Sequence, residues 1–171
     1  MPLVNSAIGH LRRVLDVDHD AAELIEAPLA SAFHRRGRLF HADEEFTSAI
    51  DDFEEAIQTD PRVEEMVSPD MALAFFQRGM LKEHDAAIAD FSEALRFHAA
   101  LDTAFVARGR VYLELARFPA AIEDFARAVE IDRDNLPIVQ DDYARAHQLR
   151  GEQHFDDHRF LNAVVDFKMA L

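Results

Sequence analysis

A framework of glycine, alanine and phenylalanine recurs four times along the 171-residue chain. Each copy begins with an arginine followed by a glycine, and the four glycines are Gly37, Gly79, Gly109 and Gly151. A phenylalanine follows each glycine 12 or 16 residues later, with one alanine four residues before it and another three residues after it. Because the copies recur every 30 to 42 residues, we expect an array of stacked supersecondary units.

The alanines and the phenylalanine of each copy follow the period of a helix. Their spacing of i, i+4 and i+7 forms one stripe along a helix with 3.6 residues per turn. The preceding half of a copy has ring-bearing residues four before and three after the glycine, such as Phe33 and Phe40, or His147 and His154. Each unit is therefore predicted to be a pair of helices.

The helical glycines require a reason in the packing. Glycine inside a helix costs about 1 kcal/mol relative to alanine. We expect each glycine to let the two helices of its unit approach closely, with the phenylalanine filling the contact. Eleven of the 14 phenylalanines fall in this register and are expected in the core, namely Phe33, Phe40, Phe46, Phe53, Phe75, Phe91, Phe105, Phe118, Phe125, Phe160 and Phe167.

The framework resembles the tetratricopeptide repeat (TPR), a helix–turn–helix unit. The resemblance covers residues 30–61, 72–101, 102–135 and 144–171, and it implies an all-α fold, a right-handed superhelical solenoid of antiparallel helix pairs. The sequence is divergent, since it has no tryptophan, has arginine where leucine is usual before the glycine, and has some units of about 42 residues. We expect one solenoid domain over residues 1–171, divided into a half-unit at 1–21 and units at 22–61, 62–101, 102–135 and 136–171.

Three extra eight-residue segments, at 22–29, 64–71 and 136–143, precede the first, second and fourth units. They are expected to lengthen the first helices at their N-termini. Candidate caps and first-turn prolines are Asp20, Ser68, Asn135, Pro69 and Pro137. Pro28 is expected to kink or to start a helix.

An arginine and an aspartate also recur in every unit. The arginines are Arg36, Arg78, Arg108 and Arg150, and the aspartates are Asp52, Asp90, Asp124 and Asp166. Because both types flank the tightest helix contact, each arginine is predicted to pair with the aspartate of its own unit. The alternative is that the four arginines bind an anionic ligand.

The resemblance also implies a site for a partner segment, in a concave groove lined by the first helix of each unit. The positions six, three and two before the glycine and one after it include four arginines and one carboxylate, Glu152. The predicted partner-binding residues are Arg35, Arg38, Phe76, Gln77, Arg110, Arg145 and Gln148. Within a chain of net charge −15, such a local positive surface favours an acidic or carboxylate-bearing partner. A chance scatter of surface arginines is the alternative.

Charge and composition narrow the class of protein further. A net charge of −15 repels phosphate groups, so neither nucleic acid nor a membrane surface is an expected partner. The absence of cysteine excludes thiolate chemistry, and no phosphate-loop, dinucleotide or hydrolase motif is present. His154 and His158 have a spacing that could hold a metal, but packing is the favoured role of His154. We expect a cytoplasmic protein that is not an enzyme and uses no cofactor or metal.

Two functions follow from the sequence. The favoured one is an adaptor or scaffold that binds a segment of another protein. The alternative is a structural unit that forms a homodimer through the end of the array, because Val164, Val165 and Leu171 form an apolar edge with no later helix to cover it.

Overall fold

The computed structural model describes residues 1–17 and 22–171, and in these residues it contains nine α-helices and no strand. The helices are α1 (Pro2–Val17), α2 (Ala22–Ala42), α3 (Phe46–Thr59), α4 (Glu64–Met80), α5 (His84–Phe97), α6 (Asp102–Glu114), α7 (Phe118–Ile131), α8 (Leu136–Asp156) and α9 (Phe160–Met169). Short 3-10 turns at Pro61–Val63 and Arg133–Asn135 precede α4 and α8. The predicted all-α fold of helix pairs is confirmed.

The chain divides into two compact units. The first contains residues 1–78 and 96–98, and the second contains residues 79–95 and 99–171. In the first unit α1 packs against α2, and α2 packs against α3. In the second unit α6 packs against α7, α7 against α8, and α8 against α9. The single domain over 1–171 stays a prediction.

The four framework glycines lie at the predicted helix contacts. A Cβ atom added to any of them would lie closer than 3.0 Å to a phenylalanine ring of the next helix, a separation that real Cβ atoms do not show. The distances to Cε1 are 2.6 Å for Gly37 and Phe53, 2.8 Å for Gly79 and Phe91, 2.7 Å for Gly109 and Phe125, and 2.7 Å for Gly151 and Phe167. Glycine is therefore required at these positions by close approach.

The shortened second copy keeps this contact. Helix α4 ends one residue after Gly79, whereas α2 ends five residues after Gly37. The second helices α3 and α5 both begin seven residues before their phenylalanine. The four missing residues therefore come from the end of the first helix, beyond the glycine, and the contact itself is preserved.

Most framework phenylalanines are shielded from solvent, but two are not. Phe33, Phe53, Phe75, Phe91 and Phe125 are buried, whereas Phe40, Phe46, Phe105 and Phe118 are partly buried. The prediction was wrong for Phe160 and Phe167, which are 51% and 37% exposed. Both lie on α9, which packs mainly against α8 in the described part of the chain.

The extra segments lengthen α2, α4 and α8, as predicted. Pro137 lies in the first turn of α8, where its missing N–H removes no helical hydrogen bond. Pro28 lies inside α2 rather than at its start. The candidate cap Asp20 lies outside the described residues.

The other proposed caps were wrong. Helix α4 begins at Glu64, so Pro69 lies inside the helix and Ser68 is no cap, because its hydroxyl donates to the Glu64 carbonyl over 2.7 Å. Asn135 precedes α8 but makes no side-chain cap hydrogen bond. Its amide instead donates to Asp102 over 2.8 Å and to the Ala128 carbonyl over 3.2 Å, which ties the start of α8 to the preceding helix pair.

Candidate functional site

Arg36, Arg108 and Arg150 each form the predicted pair with the aspartate of their own repeat. Each guanidinium donates from Nε and Nη2 to the two carboxylate oxygens, at 2.7 and 2.7 Å for Arg36–Asp52, 2.8 and 2.8 Å for Arg108–Asp124, and 2.9 and 2.6 Å for Arg150–Asp166. The aspartates are buried. The hydrogen bonds to Asp52 and Asp124 raise the pKa values of Arg36 and Arg108. These guanidinium groups are engaged within their own units, which favours the structural role over anion binding.

In the second copy, a lysine lies beside the framework aspartate. Lys82 Nζ lies 2.9 Å from Oδ2 of Asp90. The guanidinium of Arg78 lies over the ring of Phe75, 5.2 Å from its centroid. Every buried framework aspartate thus lies near a cation, as a buried carboxylate requires.

The fourth copy surrounds its aspartate with further groups. His147 Nδ1 lies 2.9 Å from Asp166 Oδ1, and His154 Nε2 lies 3.6 Å from Oδ2. Burial acts to raise the pKa of Asp166, but the hydrogen bonds from Arg150 and His147 outweigh it, so that the pKa lies below its ordinary value. His154 thus has a place in the helix contact, while His158 lies exposed in the following turn.

The predicted partner-binding residues all lie on first helices, but in two groups. Four of them lie in the first compact unit, Arg35 and Arg38 on α2 and Phe76 and Gln77 on α4. The other three lie in the second compact unit, Arg110 on α6 and Arg145 and Gln148 on α8. The four arginines and Gln148 are exposed, and Phe76 and Gln77 are half-buried.

In the second compact unit, two of the three predicted residues, Arg110 and Arg145, line a cleft between α6 and α8, and Gln148 does not. The cleft has a volume of about 260 Å³ and is lined by Arg110, Leu113, Glu114, Asp142, Arg145 and Leu149. Pockets for small molecules are usually about 300–1,000 Å³. A space of this size suits one or two side chains of a partner better than a whole ligand.

We call this space the α6–α8 cleft. Its two arginines, Arg110 and Arg145, differ in their hydrogen-bond and ion-pair partners. Arg110 Nε donates to Asp142 Oδ2 over 2.8 Å, and its Nη2 donates to the Ile138 carbonyl over 3.3 Å. Arg145 forms no ion pair with any residue that the structure describes. Gln148 donates to Glu152 over 3.0 Å, so this carboxylate faces an amide rather than a cation.

A similar arrangement occurs in the first unit. Asp70 Oδ2 lies 2.7 Å from His34 Nε2 and 3.7 Å from Arg38 Nε. Arg35 has no ion-pair partner among the described residues. Counting only the groove positions missed Asp70, Asp142 and Glu114, so the count of four arginines against one carboxylate overstated the positive charge of these surfaces. Asp70 and Asp142 lie in the extra segments 64–71 and 136–143. These segments were the feature of the sequence from which the two carboxylates could have been predicted.

The helix pairs with a glycine–phenylalanine contact define a helical-repeat protein. The sequence profile of the tetratricopeptide repeat family matches residues 30–63 and 103–135. The resemblance to this family that the framework predicted is therefore confirmed in these two segments. In the described residues, no helix has the length and apolar character needed to cross a membrane, and no cluster of three or more potential metal-binding side chains occurs.

Comparison with known proteins gives one curated relative and several structures. A UDP-N-acetylglucosamine–peptide N-acetylglucosaminyltransferase of Giardia intestinalis is 31% identical over 87 residues, which are 50% of this chain but 6% of that protein. The crystal structure of MamA has a TM-score of 0.42 at 21% identity and covers 98% of this chain and 86% of its own. The first TPR of Spaghetti (RPAP3), bound to the HSP90 peptide SRMEEVD, has a TM-score of 0.46 at 20% identity and covers 71% and 93%.

Proposed function

We propose that this protein is a non-catalytic adaptor or scaffold that binds an acidic or carboxylate-bearing segment of a partner protein on its first helices. The observation that supports the proposal is the exposure of Arg35 and Arg145, which form no ion pair with any described residue. Arginine suits this role because its planar guanidinium binds a carboxylate through two parallel hydrogen bonds.

The α6–α8 cleft indicates what else the segment contains. Leu113 and Leu149 line it beside Arg110 and Arg145, so a carboxylate at the rim would lie next to an apolar floor. A segment that alternates acidic and aliphatic side chains fits this lining. Burying an aliphatic side chain contributes about 1.5–3 kcal/mol, whereas an exposed ion pair contributes about 0–1 kcal/mol.

An array of synthetic peptides tests the proposal without knowledge of the partner. The 12-residue peptides combine leucine with zero to six glutamates, and a matched set has lysine in place of glutamate. We expect the amount of captured protein to rise with the number of glutamates and to fall as salt is added, because exposed charges are screened beyond about 10 Å at 0.1 M salt. Equal capture by the acidic and the basic sets would contradict the proposal.

The exposed apolar face of α9 favours a second function, self-association. Leu161 is 84% exposed and Val165 is 61% exposed, and Val164, Met169 and Leu171 are exposed on the same helix or just after it. Two copies that meet through this face would bury it in a two-fold interface. Light scattering should then report a dimer at about 0.1 mM protein, well above a micromolar dissociation constant.

A pair of double substitutions separates this dimer from other associations. Val165→Lys with Leu171→Lys should give a monomer, because two charges in the interface oppose burial. The control, Ala126→Lys with Gln140→Lys, adds the same charge at exposed positions of α7 and α8 and should leave the dimer intact. An unmodified chain that is monomeric at about 0.1 mM would exclude this function.

A further inference from the structure

The same ion pair occurs twice between first helices, once in each compact unit. Arg38 and Arg110 each follow a framework glycine directly, and Asp70 and Asp142 each lie nine residues before the next framework glycine. The two pairs have the same separation of 32 residues, and the distances are 3.7 Å for Arg38–Asp70 and 2.8 Å for Arg110–Asp142. The arrangement is therefore a repeated feature of the molecule.

The extra turns of α4 and α8 bring these aspartates to the arginines. Asp70 and Asp142 lie in the segments 64–71 and 136–143 that lengthen these helices. Helix α6, which lacks such a segment, has 13 residues, whereas α8 has 21. The chain thus places its own carboxylate at the position where, in the proposed function, the carboxylate of a partner would bind.

We propose that Asp142, and Asp70 in the corresponding place, are internal competitors for the partner: each occupies the binding arginine in the free protein and gives it up to a carboxylate of the bound segment. This inference rests on the proposed function. The geometry permits the exchange, because Arg110 and Asp142 are 49% and 32% exposed and an ion pair in contact with water separates at small cost.

The internal competitor Asp142 also determines which partner segments bind in the α6–α8 cleft. With Asp142 and Glu114 in the α6–α8 cleft beside Arg110 and Arg145, the lining is close to neutral in the free protein. A segment with one carboxylate binds Arg145 alone, because Arg110 is already occupied. A segment with two or more carboxylates also competes for Arg110, so the cleft selects partners of high local acidity.

Binding of a fluorescein-labelled peptide of alternating glutamate and leucine, measured by fluorescence anisotropy, tests this inference. The variants are Asp142→Asn, Arg110→Gln and the double variant, with Asp141→Asn as the matched control. Asp141 is exposed, precedes Asp142 on α8 and is absent from the cleft lining, so its substitution makes the same change in net charge without freeing Arg110. Circular dichroism establishes that each variant is folded.

We expect Asp142→Asn to bind the peptide about two to five times more tightly than Asp141→Asn, the range expected for release of one exposed ion pair. The advantage should disappear when Arg110 is glutamine. An Asp142→Asn variant that binds no more tightly than Asp141→Asn, or that keeps its advantage with Arg110→Gln, would overturn the inference while leaving the proposed function intact. Failure of every variant to prefer this peptide over its lysine counterpart would remove the proposed function and the inference with it.

Discussion

Gly109 of α6 lies so close to Phe125 of α7 that a Cβ atom on the glycine would be 2.7 Å from Cε1 of the ring. Phe125 has no exposed surface, and the ring lies in a cluster with Val106, Ala121, Ala128 and Val139. The ring therefore has little room to move away. The same glycine–phenylalanine contact occurs in three other helix pairs. It is therefore a feature that all four repeats share.

The contact predicts that Gly109→Ala destabilises the protein although alanine favours helix. The forced movement of the ring should outweigh the gain in helix propensity of about 1 kcal/mol, and Gly109→Leu should cost about 1–3 kcal/mol or more. The measurement is the free energy of unfolding in urea. The control is Gly9→Ala in α1, where the nearest atom to the new Cβ would be 4.0 Å away, and this change should be neutral or stabilising. A stable Gly109→Leu variant would contradict the packing.

Truncation of two framework phenylalanines should reduce stability by very different amounts. Phe125→Ala should cost about 3–5 kcal/mol, because it removes a fully buried ring and leaves a cavity. Phe160→Ala should cost much less, since this ring is 51% exposed. Thermal unfolding of the two variants side by side measures the difference. Equal losses would show that α9 is covered in solution, as the dimer requires.

The buried pair of Arg108 and Asp124 predicts a rescue by double substitution. Arg108→Met should cost about 3–5 kcal/mol, because the carboxylate of Asp124 is left buried without its cation. Arg108→Met combined with Asp124→Leu removes both charges and should regain most of that loss. The measurement is the free energy of unfolding of the three proteins. A double variant as unstable as the single one would indicate that the pair stabilises the fold beyond compensating its own desolvation.

The pairing of Asp166 predicts how stability depends on pH. The pKa of this carboxyl in the folded protein lies below its ordinary value of 3.8. Its contribution to stability is therefore complete above about pH 5 and is lost as the pH falls through the folded value. Asp166→Asn should be less stable than the wild type near pH 7, and the difference should shrink below about pH 4. Urea unfolding at several pH values measures it, and a difference independent of pH would contradict the assignment.

Local spacing sufficed to predict the helix pairs, the glycine contacts and the pairing of Arg36, Arg108 and Arg150 with the aspartates of their own repeats. These features depend on residues within one unit, whose relative positions follow from the helical period. The exposure of Phe160 and the start of α4 at Glu64, five residues before Pro69, could not be predicted in this way. Both depend on packing beyond a single repeat, and the helical period carries no information about that packing. Asp70 and Asp142 were missed for a related reason: each belongs to one helical repeat and contacts an arginine of the preceding repeat.

The proposal that arginines of the first helices bind an acidic segment has a direct test. The affinity for the glutamate–leucine peptide is measured by fluorescence anisotropy for the wild type, for Arg110→Glu with Arg145→Glu, and for Arg35→Glu with Arg38→Glu. The control is Arg127→Glu with Arg133→Glu, which makes the same change in charge at exposed positions on α7 and in the turn before α8. Circular dichroism verifies that helicity is unchanged.

We predict that the wild type and the control bind the peptide and that binding weakens steeply as salt rises above about 0.1 M. Charge reversal at Arg110 and Arg145, and separately at Arg35 and Arg38, should each weaken binding. Equal affinity of the wild type and both reversed variants would contradict the proposal and would leave the arginines as a chance scatter on the surface.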